Sequence, residues 1–124
     1  MKAERPLNVV FFITAAGNEP VREWLKSLPR EECKSIGVDI LKVQYAWPLG
    51  KPLVENVGDG IWEIRSRLPN RIARTLFVVV DGEIVILHGF IKKQQKTPQD
   101  ELNLAKKRKK QYLETNEEKN PSRK

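Results

Sequence analysis

The chain has 124 residues, of which 40% are hydrophobic and 31% are charged, with a single cysteine and a single histidine. This length suits one domain with its own hydrophobic core, and the composition is that of a globular protein. One cysteine excludes an internal disulfide, no Cys/His set has metal-ligand spacing, and no apolar run reaches the roughly 18 residues of a membrane span. We therefore expect a cytoplasmic protein with no signal peptide, no membrane segment, no metal and no cofactor.

The formal net charge of +7 is unevenly distributed along the chain. Residues 1–105 carry 15 basic and 13 acidic side chains, whereas residues 106–124 carry 8 and 3. A basic C-terminal segment of this kind indicates contact with a polyanion, most simply a nucleic acid. The alternative is that these cations only solvate the end of a helix.

The first half of the chain predicts a buried strand followed by two helices. Apolar residues fill both parities of Leu7–Ile13, as in a strand that is covered on both faces. Asn18 is a candidate N-cap for a short helix that Pro29 ends. Apolar residues at helical spacing predict one buried stripe on each helix: Val21, Trp24, Leu25 and Leu28, then Cys33, Ile36, Ile40, Val43 and Trp47. Residues 51–59 are predicted to form a connector.

Turn signals then separate three β-rich segments, Ile61–Arg67, Ile72–Val80 and Glu83–Ile91. Asp81-Gly82 favours a two-residue type I′ hairpin, because both positions must accept a positive φ. An uninterrupted ladder from that turn pairs Val80 with Glu83, Val78 with Val85, Leu76 with Leu87 and Arg74 with Gly89. Leu68-Pro69-Asn70 marks the other reversal, so the three segments are predicted to form an antiparallel meander.

A third helix is predicted after the meander, with Thr97 as its N-cap and Pro98 in its first turn. Its apolar side is thin, and its centre is wholly basic from Lys106 to Lys110. The predicted order is β-α-α-β-β-β-α, an α+β domain with an antiparallel sheet and helices packed mainly on one face. We place this domain at residues 1–115 and expect residues 116–124 to form a frayed basic tail.

Seven cations flank the turns and ends of the predicted meander: Arg65, Arg67, Arg71, Arg74, Lys92, Lys93 and Lys96. In a meander, the end of one strand lies beside the start of the next, so the seven side chains are expected at one end of the sheet. Because several cations repel one another unless an anion lies between them, this end is predicted to bind phosphate. The alternative is that Glu55, Asp59 and Glu63 neutralise some of them as ordinary surface pairs.

The other reactive side chains are predicted to be structural. His88 lies in the fourth predicted strand, on the face shared with Ile84, Ile86 and Phe90, where a hydrogen-bonded core role is favoured over catalysis. Cys33 belongs to a buried stripe and is expected to be inert. The sequence contains no glycine-rich phosphate loop and no metalloprotease or serine-hydrolase motif.

Three motifs resemble a known family. GIWEIR at residues 60–65, RTLF at residues 74–77 and ILHGFIKKQQKTP at residues 86–98 resemble the phage-derived HigB-like branch of the RelE/ParE toxin superfamily. The resemblance covers about residues 7–115. It implies a RelE-like fold and a metal-independent mRNA interferase that acts on mRNA in the ribosomal A site and arrests translation. It also implies a cognate helix-turn-helix antitoxin as partner.

The resemblance implies catalytic roles for Arg65, Arg74, Lys92 and Lys93. Guanidinium groups suit stabilisation of the charged phosphorane, and a lysine could act as base or acid. Phe77 stands where many relatives have a tyrosine, so any role of that hydroxyl is absent from this chain. Relatives of the wider RelE group often use a C-terminal tyrosine or histidine, for which Tyr112 is the candidate. The residues expected to bind RNA are Arg67, Arg71, Lys96, Lys106, Lys107, Arg108, Lys109 and Lys110.

Two other functions stay open at this point. A ParE-like toxin keeps the same fold but inhibits gyrase through protein contact and does not cleave RNA. A non-catalytic member of the family would serve as an RNA-binding module or an operon co-repressor.

Overall fold

The computed structural model describes residues 6–93 and 95–119, which form an α+β domain with a five-stranded mixed sheet and three helices. The elements in chain order are β1 (Asn8–Phe11), α1 (Pro20–Ser27), α2 (Arg30–Ala46), β2 (Val54–Gly58), β3 (Ile61–Arg67), β4 (Ile72–Val80), β5 (Glu83–Ile91) and α3 (Gln99–Lys119). The strand order is β1-β5-β4-β3-β2. The predicted meander β3-β4-β5 is therefore the centre of the sheet, and its strand bounds are those expected.

The sheet differs from the predicted one at both edges. Residues 54–58, predicted as a connector, form β2 and pair antiparallel with β3. Asn and Gly are poor strand formers, so propensity gives little sign of this edge strand. At the other edge β1 runs parallel to β5, because the two helices return the chain across one face of the sheet before the meander begins. The order is thus β-α-α-β-β-β-β-α, and the prediction of a purely antiparallel sheet is wrong.

Helices cover both faces of the sheet. Buried residues of α1 and α2, including Val21, Ile36 and Val43, pack on one face. On the other face, α3 packs through the fully buried Ala105 and the partly buried Leu102. The prediction of helices mainly on one face holds for α1 and α2 and fails for α3, whose thin apolar side, Leu102, Ala105 and Tyr112, packs on the other face.

The β4–β5 hairpin begins as predicted and then changes register. Asp81 and Gly82 adopt φ values of 50° and 78°, as a type I′ turn requires. Val80 pairs with Glu83, but a register shift at Leu76/Phe77 leaves Leu87 unpaired as a β-bulge. Leu76 therefore faces His88 and Arg74 faces Phe90, each one residue beyond the predicted partner.

The bulge changes which residues of β5 share a face. Ile84 and Ile86 pack with α1 and α2, whereas Phe90 packs on the α3 side. His88 contacts Glu101 of α3 and therefore lies on that side too. The predicted common face for these residues is wrong, because an uninterrupted apolar run gives no sign of a one-residue insertion in the ladder.

The helix ends differ slightly from prediction. Glu19, not Asn18, is the N-cap of α1. α3 begins at Gln99, so Thr97 is not its N-cap, and the helix continues to Lys119. Residues 116–119, predicted as part of a frayed tail, are thus helical, and the rest of that predicted tail lies outside the described residues. In the part of the chain that the structure describes, no helix has the length and apolarity to cross a membrane.

Gly89 allows α1 to approach the sheet closely. A Cβ atom added at Gly89 would lie 2.3 Å from Cζ3 of Trp24. No side chain fits that space, so the indole of Trp24 packs directly on the backbone of β5. The packing of α1 on the sheet therefore explains the glycine at position 89.

Candidate phosphate-binding site

A cleft of about 550 Å³ lies where β3 ends, β4 begins and β5 ends. Its lining consists of Arg67, Leu68, Asn70, Arg71, Ile72, Lys92, Lys93 and Gln95. We call this concavity the cationic cleft, after Arg67, Arg71, Lys92 and Lys93. Four of the seven cations that were expected at one end of the sheet thus line one cleft.

Backbone hydrogen bonds fix the rims of the cationic cleft. Leu68 N donates to Arg71 O over 2.8 Å and closes the β3–β4 turn. Lys92 N donates to Ile72 O over 2.7 Å, which extends the β4–β5 ladder by one residue past the end of β5. The two lysines are therefore held beside the start of β4, opposite the arginines of the turn.

Only one cation of the cleft has a carboxylate partner within residues 6–93 and 95–119. Arg71 Nη2 donates to Glu32 Oε1 over 2.6 Å, and its Nε lies 3.2 Å from both oxygens of that carboxylate. This hydrogen bonding raises the pKa of Arg71 above its usual value. Lys92 Nζ donates to the amide oxygen of Gln95 over 3.3 Å, which leaves its charge uncompensated. Arg67, Lys92 and Lys93 together give the cleft its positive charge.

Arg65 and Arg74, two of the residues predicted to be catalytic, lie outside the lining of the cleft. They are cross-strand partners in β3 and β4. The fully buried Glu63 accepts a hydrogen bond from Arg65 Nε over 3.2 Å and lies 3.7 Å from Arg74 Nε. Arg65 Nη2 also lies 2.5 Å from Glu55 Oε1, an ion pair without hydrogen-bond alignment. Neutralisation by nearby carboxylates, the alternative raised from the sequence, therefore applies to Arg65 and Arg74.

Arg74 is 1% exposed and reaches into the segment that follows β5. Its Nη1 donates to Thr97 Oγ1 over 3.3 Å, and its Nη2 donates to the carbonyl oxygen of Gln95. Thr97 Oγ1 in turn donates to Glu63 Oε2 over 2.6 Å. We call Glu63, Arg65, Arg74 and Thr97 the Glu63 cluster. In this structure Arg74 has no surface to offer a substrate, and it instead holds the backbone next to the lysines of the cleft.

The basic run of α3 lies at the opposite end of the sheet, against the β2–β3 turn. Lys106 Nζ lies 2.8 Å from the carboxylate of Asp59, and Lys109 donates to the backbone oxygen of Asp59. The hydrogen bond from Lys106 lowers the pKa of Asp59 below its ordinary value. Lys109 is ten residues beyond the start of α3, or about 15 Å along its axis. Lys107 and Lys110 are exposed there, as Lys96 is before the helix.

Arg108 is turned inward, which argues against the RNA contact predicted for it. Its Nη1 donates to the carbonyl oxygen of the bulged Leu87 over 2.9 Å, and its guanidinium lies 5.6 Å from the ring centroid of Phe12. Partial burial lowers its pKa below the usual value. Arg108 thus supports the bulge that changes the register of β5.

His88 is a hydrogen-bonded structural residue, as expected from its place in a strand. Its Nε2 donates to Glu101 over 2.7 Å, and its ring stacks on Phe90 at 5.6 Å. Its Nδ1 lies 3.5 Å from Arg108, which can only donate. Tyr112 donates to Glu83 beside the hairpin turn, at the end of the sheet away from the cleft. Neither side chain is among the residues that line the cleft.

Sequence reasoning missed the role of Glu63 and two amide side chains of the cleft, Asn70 and Gln95. The sequence predicts for Glu63 only the neutralisation of nearby surface cations. Its parity in β3 is that of the buried Ile61, which indicates a side chain pointing under α3 and the segment before it. This shared parity can be read from the sequence, but it indicates burial of Glu63 only if both faces of the strand are known to be covered.

The sequence profile of the family described as "Phage derived protein Gp49-like (DUF891)" matches residues 23–110, more than two thirds of the chain. The matched region runs from α1 into the basic part of α3 and contains the cationic cleft and the Glu63 cluster. No curated protein matches the chain at a significant level. Among the described residues, no group of three His, Cys, Asp or Glu side chains is placed to hold a metal ion.

Proposed function

The chain belongs to the Gp49-like family of phage-derived proteins, a RelE-like and toxin-like family in general, and from this premise we propose that it is the toxin of a type II toxin–antitoxin system of the HigB-like branch. Its proposed activity is that of a ribosome-dependent, metal-independent mRNA interferase that arrests translation. The observation that carries this proposal is the cationic cleft, where three cations without a carboxylate partner in the described chain join Arg71 around one concavity.

The chemistry needs three events at one phosphate. The 2′-hydroxyl loses its proton and attacks phosphorus, the phosphorane's negative charge is stabilised, and the bond to the 5′-oxygen breaks as that oxygen gains a proton. Lys92 and Lys93 are the groups we propose for contact with this phosphate, as charge stabilisers and proton carriers. Arg67 and Arg71 bind the neighbouring phosphates, for which a guanidinium is well suited. The products carry a 2′,3′-cyclic phosphate and a 5′-hydroxyl.

Burial changes the proposed roles of Arg65 and Arg74. Both were expected to contact the phosphorane, but Arg74 is almost fully buried and both are bound to Glu63. We assign them to holding the cleft in shape rather than to contact with the substrate. The cleft is open and has no histidine pair, so the ribosome must align the mRNA, an effect that can account for several kcal/mol of the barrier, about 7–11 in the best cases.

The test is to induce the protein in bacterial cells and follow translation, DNA-damage responses and mRNA 5′ ends together. The proposal predicts arrested translation and discrete mRNA cuts, both lost in the double variant Lys92→Ala/Lys93→Ala. The control is Lys34→Ala/Lys42→Ala, which removes the same charge from exposed positions of α2. DNA damage with intact mRNA would favour the gyrase-directed alternative, and uncut mRNA without damage would favour a non-catalytic RNA-binding module.

The proposed partner is a helix-turn-helix antitoxin that covers the cationic cleft. Acidic or backbone-oxygen groups on that partner would satisfy the cations that the described chain leaves unpaired. Co-expression of the reading frame next to the gene is expected to abolish toxicity. If no neighbouring product protects the cells, the toxin–antitoxin part of the proposal fails.

A further inference from the structure

We propose that Glu63 is a positioning residue of the cationic cleft. Its buried carboxylate, through Thr97 and Arg74, fixes residues 95–97 and so the position of Lys92 and Lys93 just before them. The proposal rests on the proposed nuclease function where it concerns activity. Its structural half, that Glu63 orders this segment, stands on the contacts alone.

A carboxylate at the position of Glu63 is costly to bury. Glu63 has no exposed surface, yet it lies between the apolar Ile61 and Ile64 of the same strand. A buried carboxylate is unfavourable unless it is paired and hydrogen-bonded, and an apolar residue of similar volume is often as stabilising as a buried ion pair. Fold stability alone therefore does not explain Glu63. Its specific contacts have to be considered.

The contacts of Glu63 hold the segment that follows β5. The segment 92–98 has no helix or strand among its described residues. It is attached at its start by Lys92 N, which donates to Ile72 O over 2.7 Å. It is attached at its end by Thr97 Oγ1, which donates to Glu63 over 2.6 Å. Both attachments flank the lysines of the cleft.

Arg74 completes the second attachment. Its guanidinium donates to Gln95 O and Thr97 Oγ1 and lies 3.7 Å from Glu63 as its counter-charge. With glutamine in place of Glu63, Thr97 keeps at most a neutral amide oxygen as acceptor, and Arg74 is left as a buried cation with no partner of opposite charge among the described residues. The second attachment is then weaker, and Lys92 and Lys93 are freer to shift.

A positioning role and a purely stabilising role of Glu63 predict different effects on RNA binding. Replacing Glu63 with glutamine removes a negative charge beside the cleft, so the attraction for RNA stays equal or increases. A shift of about 1 Å in a reacting group can slow a reaction roughly 100-fold. Positioning therefore predicts slower cleavage together with unchanged or tighter RNA binding. A residue that only stabilises the fold would lower both quantities with the folded fraction.

The experiment compares Glu63→Gln with Glu55→Gln and Val43→Ala. Glu55→Gln removes the same charge from the other carboxylate beside Arg65, and Glu55 has no hydrogen bond or ion pair to the described residues of segment 92–97. Val43→Ala weakens the fully buried core of α2 on the far face of the sheet. Three quantities are measured: single-turnover cleavage of mRNA on saturating ribosomes, the Kd for a single-stranded RNA oligonucleotide, and hydrogen–deuterium exchange of residues 92–97.

Glu63→Gln is expected to cleave at least about tenfold more slowly, with an equal or lower Kd and faster exchange in residues 92–97. Glu55→Gln is expected to keep wild-type cleavage and exchange. Thr97→Val removes the hydroxyl and keeps every charge. It is expected to show the same combination of slower cleavage and unchanged RNA affinity, with a smaller loss of cleavage rate. This variant decides the matter if Glu63→Gln does not fold.

Parallel losses of cleavage and RNA affinity, as expected for Val43→Ala, would overturn the proposal, as would unchanged cleavage in Glu63→Gln and Thr97→Val. If the wild-type protein cleaves no mRNA, the nuclease function fails and the exchange measurement decides alone. Faster exchange of residues 92–97 in Glu63→Gln than in Glu55→Gln then sustains the structural half. Equal exchange in the two variants overturns it.

Discussion

At the residue scale, two arginines near one end of β4 have opposite surroundings. Arg71 lies in the exposed turn between β3 and β4 and forms an ion pair with Glu32 of α2. Arg74, three residues later, is 1% exposed and belongs to the Glu63 cluster. The sequence places both near the phosphate site, but it does not distinguish them. Strand alternation tells which face a side chain is on and does not tell whether the following segment folds over that face.

This difference predicts unequal effects on stability. Arg74→Ala leaves Glu63 buried with one fewer cation, which is expected to lower the free energy of unfolding by about 3–5 kcal/mol. Arg71→Ala removes an exposed pair and is expected to change that free energy little, while weakening RNA binding. Urea denaturation of both variants measures the difference. Equal stability of the two would contradict the buried assignment of Arg74.

A second prediction at this scale concerns Asp59. Asp59→Asn keeps a side chain that tolerates the positive φ of 56° at this position and removes the charge that binds Lys106. Because the pKa of Asp59 is lowered in the fold, the carboxylate is ionised at neutral pH. Its contribution to stability is lost only as the pH falls through that lowered value. We expect tighter RNA binding by Asp59→Asn at neutral pH.

The matched control for Asp59→Asn is Asp39→Asn, the same charge change on α2 across the sheet. Filter binding of an RNA oligonucleotide to both variants gives the comparison. An equal gain in affinity would mean that only net charge matters. In that case the freed lysine of α3 has no specific part in binding.

At the element scale, the helices and strands that the sequence predicts are those marked by local signals. Helical periodicity predicts α1 and α2, and turn residues predict the bounds of β3, β4 and β5. The edge strand β2, the parallel pairing of β1 and the packing of α3 depend on partners distant in sequence. The bulge at Leu87 is equally invisible, since it falls at the end of the apolar run 84–87, in which apolar and polar residues do not alternate. The bulge explains why the predicted partners of Leu76 and Arg74 are off by one residue.

The contact between α1 and β5 gives a test at this scale. Gly89→Ala would force Trp24 away from the strand, and such overpacking is expected to cost about 1–3 kcal/mol of unfolding free energy. Gly37→Ala makes the same substitution within α2, where nothing lies within 4 Å of the added Cβ. That control is expected to stabilise the protein by up to about 1 kcal/mol. Thermal or urea unfolding that shows the same sign for both would contradict the close packing.

At the scale of the whole molecule, the positive charge divides into two regions. The cationic cleft lies at the end of the sheet where α3 begins, and the exposed Lys107 and Lys110 lie towards the opposite end. The sequence predicts both regions but not their separation, which arises because α3 runs back along the sheet. A single-stranded RNA that contacts both regions must follow α3, with the cleft at one end of its path.

Salt dependence tests this division. If the four cations of the cleft each contact one phosphate, log K for single-stranded RNA is expected to fall with log salt at a slope of roughly −3. The exposed lysines of α3 are expected to add to this slope. Lys107→Ala/Lys110→Ala is therefore expected to make the measured slope less steep without slowing cleavage on the ribosome. The total slope is obtained by titrating an RNA oligonucleotide at several salt concentrations. A slope unaffected by either pair of lysines would place the RNA elsewhere.

The most direct measurement is cleavage of mRNA on purified ribosomes by the purified protein, with and without a 2′-deoxy substitution at the cut position. The wild-type protein and Lys34→Ala/Lys42→Ala are predicted to yield a discrete fragment with a 5′-hydroxyl. The 2′-deoxy substitution and the Lys92→Ala/Lys93→Ala variant are each predicted to abolish it. Failure of the wild-type protein to cut, or equal cutting by the Lys92→Ala/Lys93→Ala variant, would contradict the cationic cleft as the site of RNA cleavage.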